Sequence, residues 1–539
     1  MTYKPFTTEK YAPNHEITGE FDKSLSAKCE NGTFVGYLEN DVLTFKGIPF
    51  AKAPVGKLRW KLPEPLEASD KVFEAYHSGK TSIQPVSALD AELAYEMGED
   101  CLYLNVYKNI TDKTEKKPVM VWIHGGAYLS GGNSSPIYDG YNLIANHPDV
   151  ILVAINYRLG IMGFVDFSHI EGGENYPYCN FGIYDQIEAL KWIKRNIAAF
   201  GGDPERITIF GESAGAGSSS ILAIMKEAKG LFKRAIIQSG SVALCTSAKT
   251  TTLPADNLAK AFGAKNMDDL LAIPEKKIIE YWQTGSAKGF NNSLILDGHV
   301  FEGRDPFDLW EEGVAKDLEI IQGHMAHEWR LFTAMFKPKE FYDALVQEIA
   351  DYTYDKGNEE YKRLYTEYYE HIKAVFEDPA WPGVEFVSDM FFNAGCWRQQ
   401  VSHAKNGGRG YAYIMTQQCS TPGLGACHGT DFYFVFGNFA KRIEETPENR
   451  AFSNKLQEMW TNFAKTGNPS TEDFAWQPYD TQNHATAMLG SDIHMENDPW
   501  RVRRELAEKM SKENVEFRQA IMLVDASDLT LERYPQFKK

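Results

Sequence analysis

Long apolar runs are missing from this chain. No stretch of 18 or more apolar residues occurs, so the sequence offers no membrane-crossing helix and no membrane partner is expected. The first 21 residues are polar and hold no apolar core segment, so no secretory leader is expected there. Tyr534 to Lys539 carry no anchor or retention signal. Cysteine is sparse: seven residues, at Cys29, Cys101, Cys179, Cys245, Cys396, Cys419 and Cys427, with no C-x-x-C pair. An odd count without that spacing excludes a disulfide framework and a zinc knuckle, and a reducing cytoplasm is the expected compartment. Positive charge is also short. The 56 basic residues are outnumbered by 74 acidic ones, for a net charge of −18. No basic stripe compensates, so a phosphate backbone would be repelled and no nucleic-acid partner is expected. Lys113, Lys116 and Lys117 cluster, but the cluster reads as a solvated turn. Internal repeats and low-complexity linkers are lacking too, which leaves residues 1–539 as one domain.

What is present is core material: 43% hydrophobic residues and 13% aromatic ones. Thr33–Leu38 and Val42–Phe45 read as a hairpin around Glu39 to Asp41. Leu102–Tyr107, Pro118–Ile123 and Val150–Asn156 are continuous apolar runs of strand length. Continuity, rather than alternation, points to a sheet covered on both faces. Asp185–Ala199 places Ile187, Leu190, Ile193 and Ile197 at helical spacing. Arg206–Phe210 then reads as a strand, Ser213 to Met225 as a helix, and Ala235–Gln238 as a strand. Alternating strands and helices predict an α/β fold with a large, mostly parallel sheet and helices on both faces. Residues 337–401 turn helical and polar and read as helical insertions. Gly410–Met415 reads as a late strand and Lys455–Thr466 as a late helix.

Two glycine-rich motifs carry chemistry. Gly211-Glu212-Ser213-Ala214-Gly215 stands between a predicted strand and a predicted helix, the context of a nucleophile elbow. A serine presented on such a sharp turn needs small neighbours two residues either side, and the N–H that follows it faces a developing oxyanion. His124-Gly125-Gly126-Ala127 follows the apolar run Val119–Ile123 and can turn backbone N–H groups toward the same anion. The ordinary readings are a chance G-x-S-x-G and a plain βα turn. The strand and helix around the elbow favour a serine nucleophile at Ser213.

With these motifs in place, the chain resembles the type-B carboxylesterases, the family of bacterial para-nitrobenzyl esterases and of cholinesterases. The resemblance rests on Phe45 to Ala51, Pro54 to Trp60, Glu99 to Val106, Asn180 to Gln186 and Phe200 to Pro204. It is dense over residues 30–245 and patchy to about residue 440. It implies an α/β-hydrolase fold and a serine hydrolase that cleaves carboxylic esters through an acyl-enzyme, with no cofactor and no metal. The order Ser, acid, His implies His428, in Gly425-Ala-Cys-His-Gly429, as the base. Gly323 to Phe332 resembles the stretch that carries the family's acid and implies Glu328, although His327 stands where the family commonly has Asp. Asp297, Asp305 and Asp308 are the rival acids and read as loop or capping residues. His324 and His327 beside Glu328 do not make the H-E-x-x-H zinc pattern.

The implied oxyanion hole is the N–H groups of Gly126, Ala127 and Ala214. Glu212 is implied as a carboxylate near the histidine, and Ser239 as a supporting serine. Lys46 and Glu99 are expected to pair where relatives carry an Arg–Glu pair. The disulfide that animal relatives form at the position of Cys101 has no partner cysteine here. The choline-stacking tryptophan is absent between Trp60 and Trp122, with Tyr95 the one candidate substitute. Small uncharged esters with apolar groups are the expected substrates. Two other functions fit the same residues: hydrolysis of amides, carbamates or lactones, and a non-catalytic binding role on the same fold.

Overall fold

The structure, a computed structural model, describes residues 11–85, 96–246, 252–283, 294–335, 339, 341–343, 346, 359–440 and 442–510. Its framework is an 11-stranded sheet. In chain order the strands are β1 (Tyr37–Glu39), β2 (Val42–Pro49), β3 (Tyr103–Asn109), β4 (Lys117–Ile123), β5 (Ile151–Ile155) and β6 (Gly202–Glu212). They continue with β7 (Arg234–Gln238), β8 (Glu319–Met325), β9 (Gly410–Met415), β10 (Ala485–Leu489) and β11 (His494–Asn497). Across the sheet the order is β11-β10-β9-β8-β7-β6-β4-β5-β3-β2-β1. From β10 to β5 every neighbouring pair is parallel; the pairs at both edges are antiparallel.

The continuous apolar runs follow from this arrangement. Successive strand residues point to opposite faces, so a sheet covered on both sides needs apolar residues at every position. In β4, Val119, Val121 and Ile123 enter one core while Met120 and Trp122 enter the other. In β5, Ile151, Val153 and Ile155 split from Leu152 and Ala154 in the same way. Each large side chain buried this way contributes about 1.5–3 kcal/mol. The first core is closed by helix α1 (Phe181–Asn196), whose Ile183, Ile187, Leu190 and Ile193 are buried. The second is closed by α7 (Thr430–Phe436) and α8 (Pro447–Thr466), with Trp122 packed 4.9 Å from Phe210 and 5.0 Å from Phe436.

Between these lie α2 (Ala214–Leu222), α3 (Arg330–Met335), α4 (Glu359–Val375), α5 (Pro382–Ser388) and α6 (Ala394–Lys405), with α9 (Arg501–Met510) after the sheet. A π-helical turn, Asp389–Asn393, joins α5 to α6. Of the stretch 337–401, the described residues hold α4, α5, the π-helical turn and the first part of α6, with a non-helical link at 376–381; most of residues 336–358 lie outside the described residues. Among the described residues no helix is long and apolar enough to cross a membrane.

Three local expectations are corrected. Thr33–Leu38 is not one strand. Gly32–Val35 pairs with Ser26–Cys29 and Val72–Glu74 in a separate small sheet, and only Tyr37–Glu39 joins the hairpin with β2. Lys117 is not solvated: it opens β4, is 4% exposed, and donates to the carbonyls of Asn109 (3.0 Å) and Pro148 (2.7 Å). Lys46 and Glu99 do not pair. Lys46 reaches Asp139 at 3.4 Å, while Arg59 Nε donates to Glu99 Oε2 at 3.0 Å and its Nη2 to Oε1. Arg59 also donates to the carbonyls of Leu271 and Ile273. The planar guanidinium meets both carboxylate oxygens and two carbonyls at once, which a lysine ammonium cannot do.

Candidate active site

β6 ends at Glu212 and α2 begins at Ala214, so Ser213 alone makes the turn between strand and helix. It takes φ 57° and ψ −121°. A non-glycine residue held there costs about 1–3 kcal/mol, a strain that marks functional sites. The turn is possible because its flanks are glycines. A Cβ on Gly211 would lie 2.6 Å from the Gly215 carbonyl oxygen, and one on Gly215 would lie 2.0 Å from the Ile123 carbonyl oxygen. Hydrogen bonds from Ser213 N–H to the Gln238 carbonyl (2.9 Å) and from Gly217 N–H to the Ser213 carbonyl (2.9 Å) fix the turn.

The loop after β4 lies against this elbow. A Cβ on Gly125 would sit 3.1 Å from Ser213 Cβ and 2.9 Å from Glu212 Oε2. Gly126 (φ 108°), Ala127 (φ 57°) and Tyr128 (φ 57°) all leave the common backbone regions. The Gly126 carbonyl accepts from the N–H groups of Leu129 and Ser130, each at 3.0 Å. The N–H groups of Gly126 and Ala127 have no acceptor among the described residues. Ala214 is the first residue of α2, where a helix leaves its N–H groups free.

His428 completes the cluster. Its Nδ1 lies 2.6 Å from Glu328 Oε2, and Glu328 Oε1 accepts the Met325 N–H at 2.8 Å. The His428 N–H donates to the Glu328 carbonyl at 3.2 Å, and Arg442 Nη1 donates to the His428 carbonyl at 3.1 Å. The ring packs 4.4 Å from Phe392 and 5.4 Å from Phe332. Its Nε2 lies 3.1 Å from Glu212 Oε1 and makes no hydrogen bond to Ser213 in this state.

Glu212, Glu328, Asp431 and His428 are all buried. Burial pushes the Glu212 carboxyl above its ordinary range, and the negative charges of Asp431 and Glu328 add to the rise, against the pull of His428. Burial raises Asp431 as well. For His428, burial opposes the charged form, but the carboxylates of Glu212 and Glu328 outweigh it and raise the imidazole. At 3.1 Å, Glu212 and His428 exchange influence over one proton, so their titration belongs to the pair.

The structure therefore brings together Ser213, Glu212, His428 and Glu328, with Gly126, Ala127 and Ala214 around the elbow. Ser239 follows β7, next to the strand that carries the elbow. It has φ 56°, and its buried Oγ has no hydrogen-bond partner among the described residues. Two of the rival acids serve elsewhere. Asp305 caps a helix through the Phe307 N–H at 2.8 Å, and Asp297 accepts from the N–H groups of Cys179, His299 and Val300. His324 packs edge-on to Trp397 at 5.4 Å, while His327 Nδ1 lies 2.9 Å from Glu385 Oε1.

Sequence reasoning missed Asp431, which accepts from Gln238 Nε2 (2.8 Å) and Tyr413 OH (3.0 Å), and the aromatic wall of Phe332 and Phe392. Asp431 stands three residues after His428, but its partners Gln238 and Tyr413 are brought to it only by the fold. Phe392 carries no local signal, because its contact with His428 spans 36 residues.

Comparison with known proteins gives the family. The model of the carboxylesterase family matches residues 23–517. A para-nitrobenzyl esterase of Bacillus subtilis (strain 168) is 35% identical over 497 residues, covering 88% of this chain and 96% of its own. A human bile salt-activated lipase is 32% identical, over 85% of this chain and 66% of its own. The crystal structure of a Geobacillus stearothermophilus carboxylesterase superposes with a TM-score of 0.77 at 34% identity, over 89% of this chain and 99% of that one. The α/β-hydrolase architecture, the strained serine turn and these matches converge: the chain belongs to the carboxylesterase family and is a hydrolase of carboxylic esters.

Proposed function

We propose that Ser213, His428 and Glu328 form the acyl-transfer triad. His428 Nε2 takes the Ser213 proton as Oγ attacks the ester carbonyl. Glu328 holds Nδ1 protonated and stabilises the imidazolium. The free N–H groups of Gly126, Ala127 and Ala214 receive the oxyanion. His428 then protonates the leaving alcohol and activates the water that releases the acid. No cofactor is needed. The observation that carries this reading is the 2.6 Å bond between His428 and the fully buried Glu328, beside a serine on a strained turn. Glu212 tunes the histidine, and Ser239 supports the turn from the adjacent strand. Residues 1–539 form a single domain in this proposal, supported by a sheet that draws strands from Tyr37 to Asn497. A cytoplasmic location is supported by six buried free cysteines among the described residues, Cys419 and Cys427 with Sγ atoms 3.9 Å apart included.

The base must be neutral to accept a proton, so kcat/KM falls as the pH drops through the titration of His428. Charge from Glu212 and Glu328 outweighs burial and raises that titration, so the acid limb should lie above the ~6.5 of a free imidazole. Glu212→Gln removes the charge 3.1 Å from Nε2 and should move the limb to lower pH. A pH–rate profile of the two proteins checks both statements. A profile flat from neutral pH down to about pH 4 contradicts a histidine base.

The substrates are uncharged esters with apolar groups. Phe332 and Phe392 face His428, and apolar walls suit a substrate that must leave water. A quaternary ammonium is best held on a tryptophan face. The segment that supplies it in cholinesterases lies just before Glu99, and its one aromatic candidate, Tyr95, lies outside the described residues. The −18 net charge speeds encounter with cations without fixing a pose, and it disfavours nucleic acid. The expected result is a lower kcat/KM for butyrylcholine than for an uncharged butyrate ester of similar size and leaving-group reactivity, measured at physiological salt. A preference for the choline ester overturns this part of the proposal.

A further inference from the structure

We infer that Glu385, on helix α5 of the insertion, is a positioning residue that holds the turn carrying Glu328. The inference rests on Glu328 being the triad acid.

Glu328 sits on a four-residue turn between β8 and α3. Helix α5 grips that turn on both sides. Glu385 Oε1 lies 2.9 Å from Nδ1 of His327, the residue just before the acid, and accepts from Arg330 Nε, two residues after it, at 2.6 Å. Between them, the Trp329 N–H donates to Ser388 Oγ at 2.9 Å, one helical turn along α5. Ser388 Oγ in turn donates to the Val384 carbonyl at 3.0 Å, so its lone pair faces the turn. Three bonds from one helix thus hold residues 327, 329 and 330, and within 327–330 only Glu328 is left to face His428.

A bare carboxylate is expensive to bury, yet the Glu385 side chain is fully buried. Burial alone would raise its carboxyl. The His327 hydrogen bond and the charges of His327, Arg330 and Arg503 outweigh that and keep it below the ordinary carboxylate range. Arg330 is fixed from its other side by the Trp381 ring, 4.4 Å away. The helix is itself anchored. Asp389, the first residue of the π-helical turn after α5, receives two bonds from Arg503 of α9, at 2.7 and 2.6 Å. The same segment supplies Phe392 to the His428 ring. This gives the insertion a role: it locks both the acid and the ring of the histidine. The residue at position 327 fits the same account, because a histidine can donate to the Glu385 carboxylate where an aspartate would repel it.

The test compares Glu385→Gln, Glu328→Gln and the double variant with the parent enzyme, on an uncharged butyrate ester. Glu385→Gln should lower kcat by about 10- to 100-fold with KM little changed, the scale of a catalytic group displaced by a fraction of an ångström to an ångström. It should also move the acid limb of kcat/KM to lower pH, because a displaced Glu328 raises His428 less. On the Glu328→Gln background the same change should add little, because there is no acid left to position. Should Glu385→Gln fail to fold, Ser388→Ala, which removes the Trp329 contact and the bond of Ser388 to the Val384 carbonyl within α5, should show a smaller fall in kcat with a smaller pH displacement in the same direction. If Glu328→Gln is fully active, the triad reading fails. If Glu328→Gln is inactive but Glu385→Gln keeps the parent kcat and pH limb, or multiplies its loss in full on the double variant, the positioning role fails.

Discussion

Ser213→Ala should reduce kcat by roughly 10⁴- to 10⁶-fold while leaving the protein folded. The size follows from what is lost. Alanine keeps the Cβ, so the strain of φ 57° and the packing of the turn stay nearly the same. The two backbone bonds that fix the turn, to Gln238 and from Gly217, do not involve the side chain. Only the nucleophile goes. What remains is substrate binding and the free N–H groups of the glycine loop, which account for a residual rate above that in water. The check is kcat on an uncharged ester beside a thermal melt. A native melt with near-native activity would contradict the account.

Glu328→Gln should cost about 10³–10⁴-fold in kcat. The geometry dictates how. The Met325 N–H donates to Oε1 at 2.8 Å, and Oε2 meets His428 Nδ1 at 2.6 Å. In glutamine, the amide oxygen is claimed by the Met325 N–H, which turns the NH₂ group toward Nδ1. The imidazole must then accept at Nδ1 and carry its proton on Nε2, where it can no longer take one from Ser213. Asp305→Asn is the control. Asp305 caps a helix, and an asparagine amide oxygen can still accept the Phe307 N–H, so both stability and kcat should stay close to those of the parent enzyme. A collapse of kcat in Asp305→Asn with an active Glu328→Gln would reverse the assignment.

The parts of the site that the sequence made legible are those built from consecutive residues. The elbow is such a part: strand, glycine, serine, glycine and helix occupy one short stretch, and the steric need for each glycine is local. The buried sheet was legible for a similar reason, because apolar residues at every position of β4 and β5 serve two cores at once. The acid and the base came from family resemblance, since nothing local tells Glu328 from Asp305.

What stayed hidden depends on contacts across the chain. Lys46 looked like the partner of Glu99, but Arg59 takes that place through a carboxylate fork and two carbonyls supplied by residues 271 and 273. The strand Gly32–Val35 left the hairpin because its partners are Ser26–Cys29 and Val72–Glu74. The aromatic wall and the grip of Glu385 on the acid turn join residues 36 to 96 positions apart. Periodicity cannot register such pairs. The reverse error, reading Lys117 as solvated, came from its neighbours: two exposed lysines adjoin it, yet its ammonium ends on the Pro148 carbonyl.

The measurement that bears most directly on the central claim is labelling with a fluorophosphonate, which phosphonylates an activated serine. Stoichiometric inactivation with the adduct mapped to Ser213, and no labelling after Ser213→Ala, is the predicted result. Full inactivation with the adduct on another residue, or an unlabelled Ser213 in active enzyme, would contradict it.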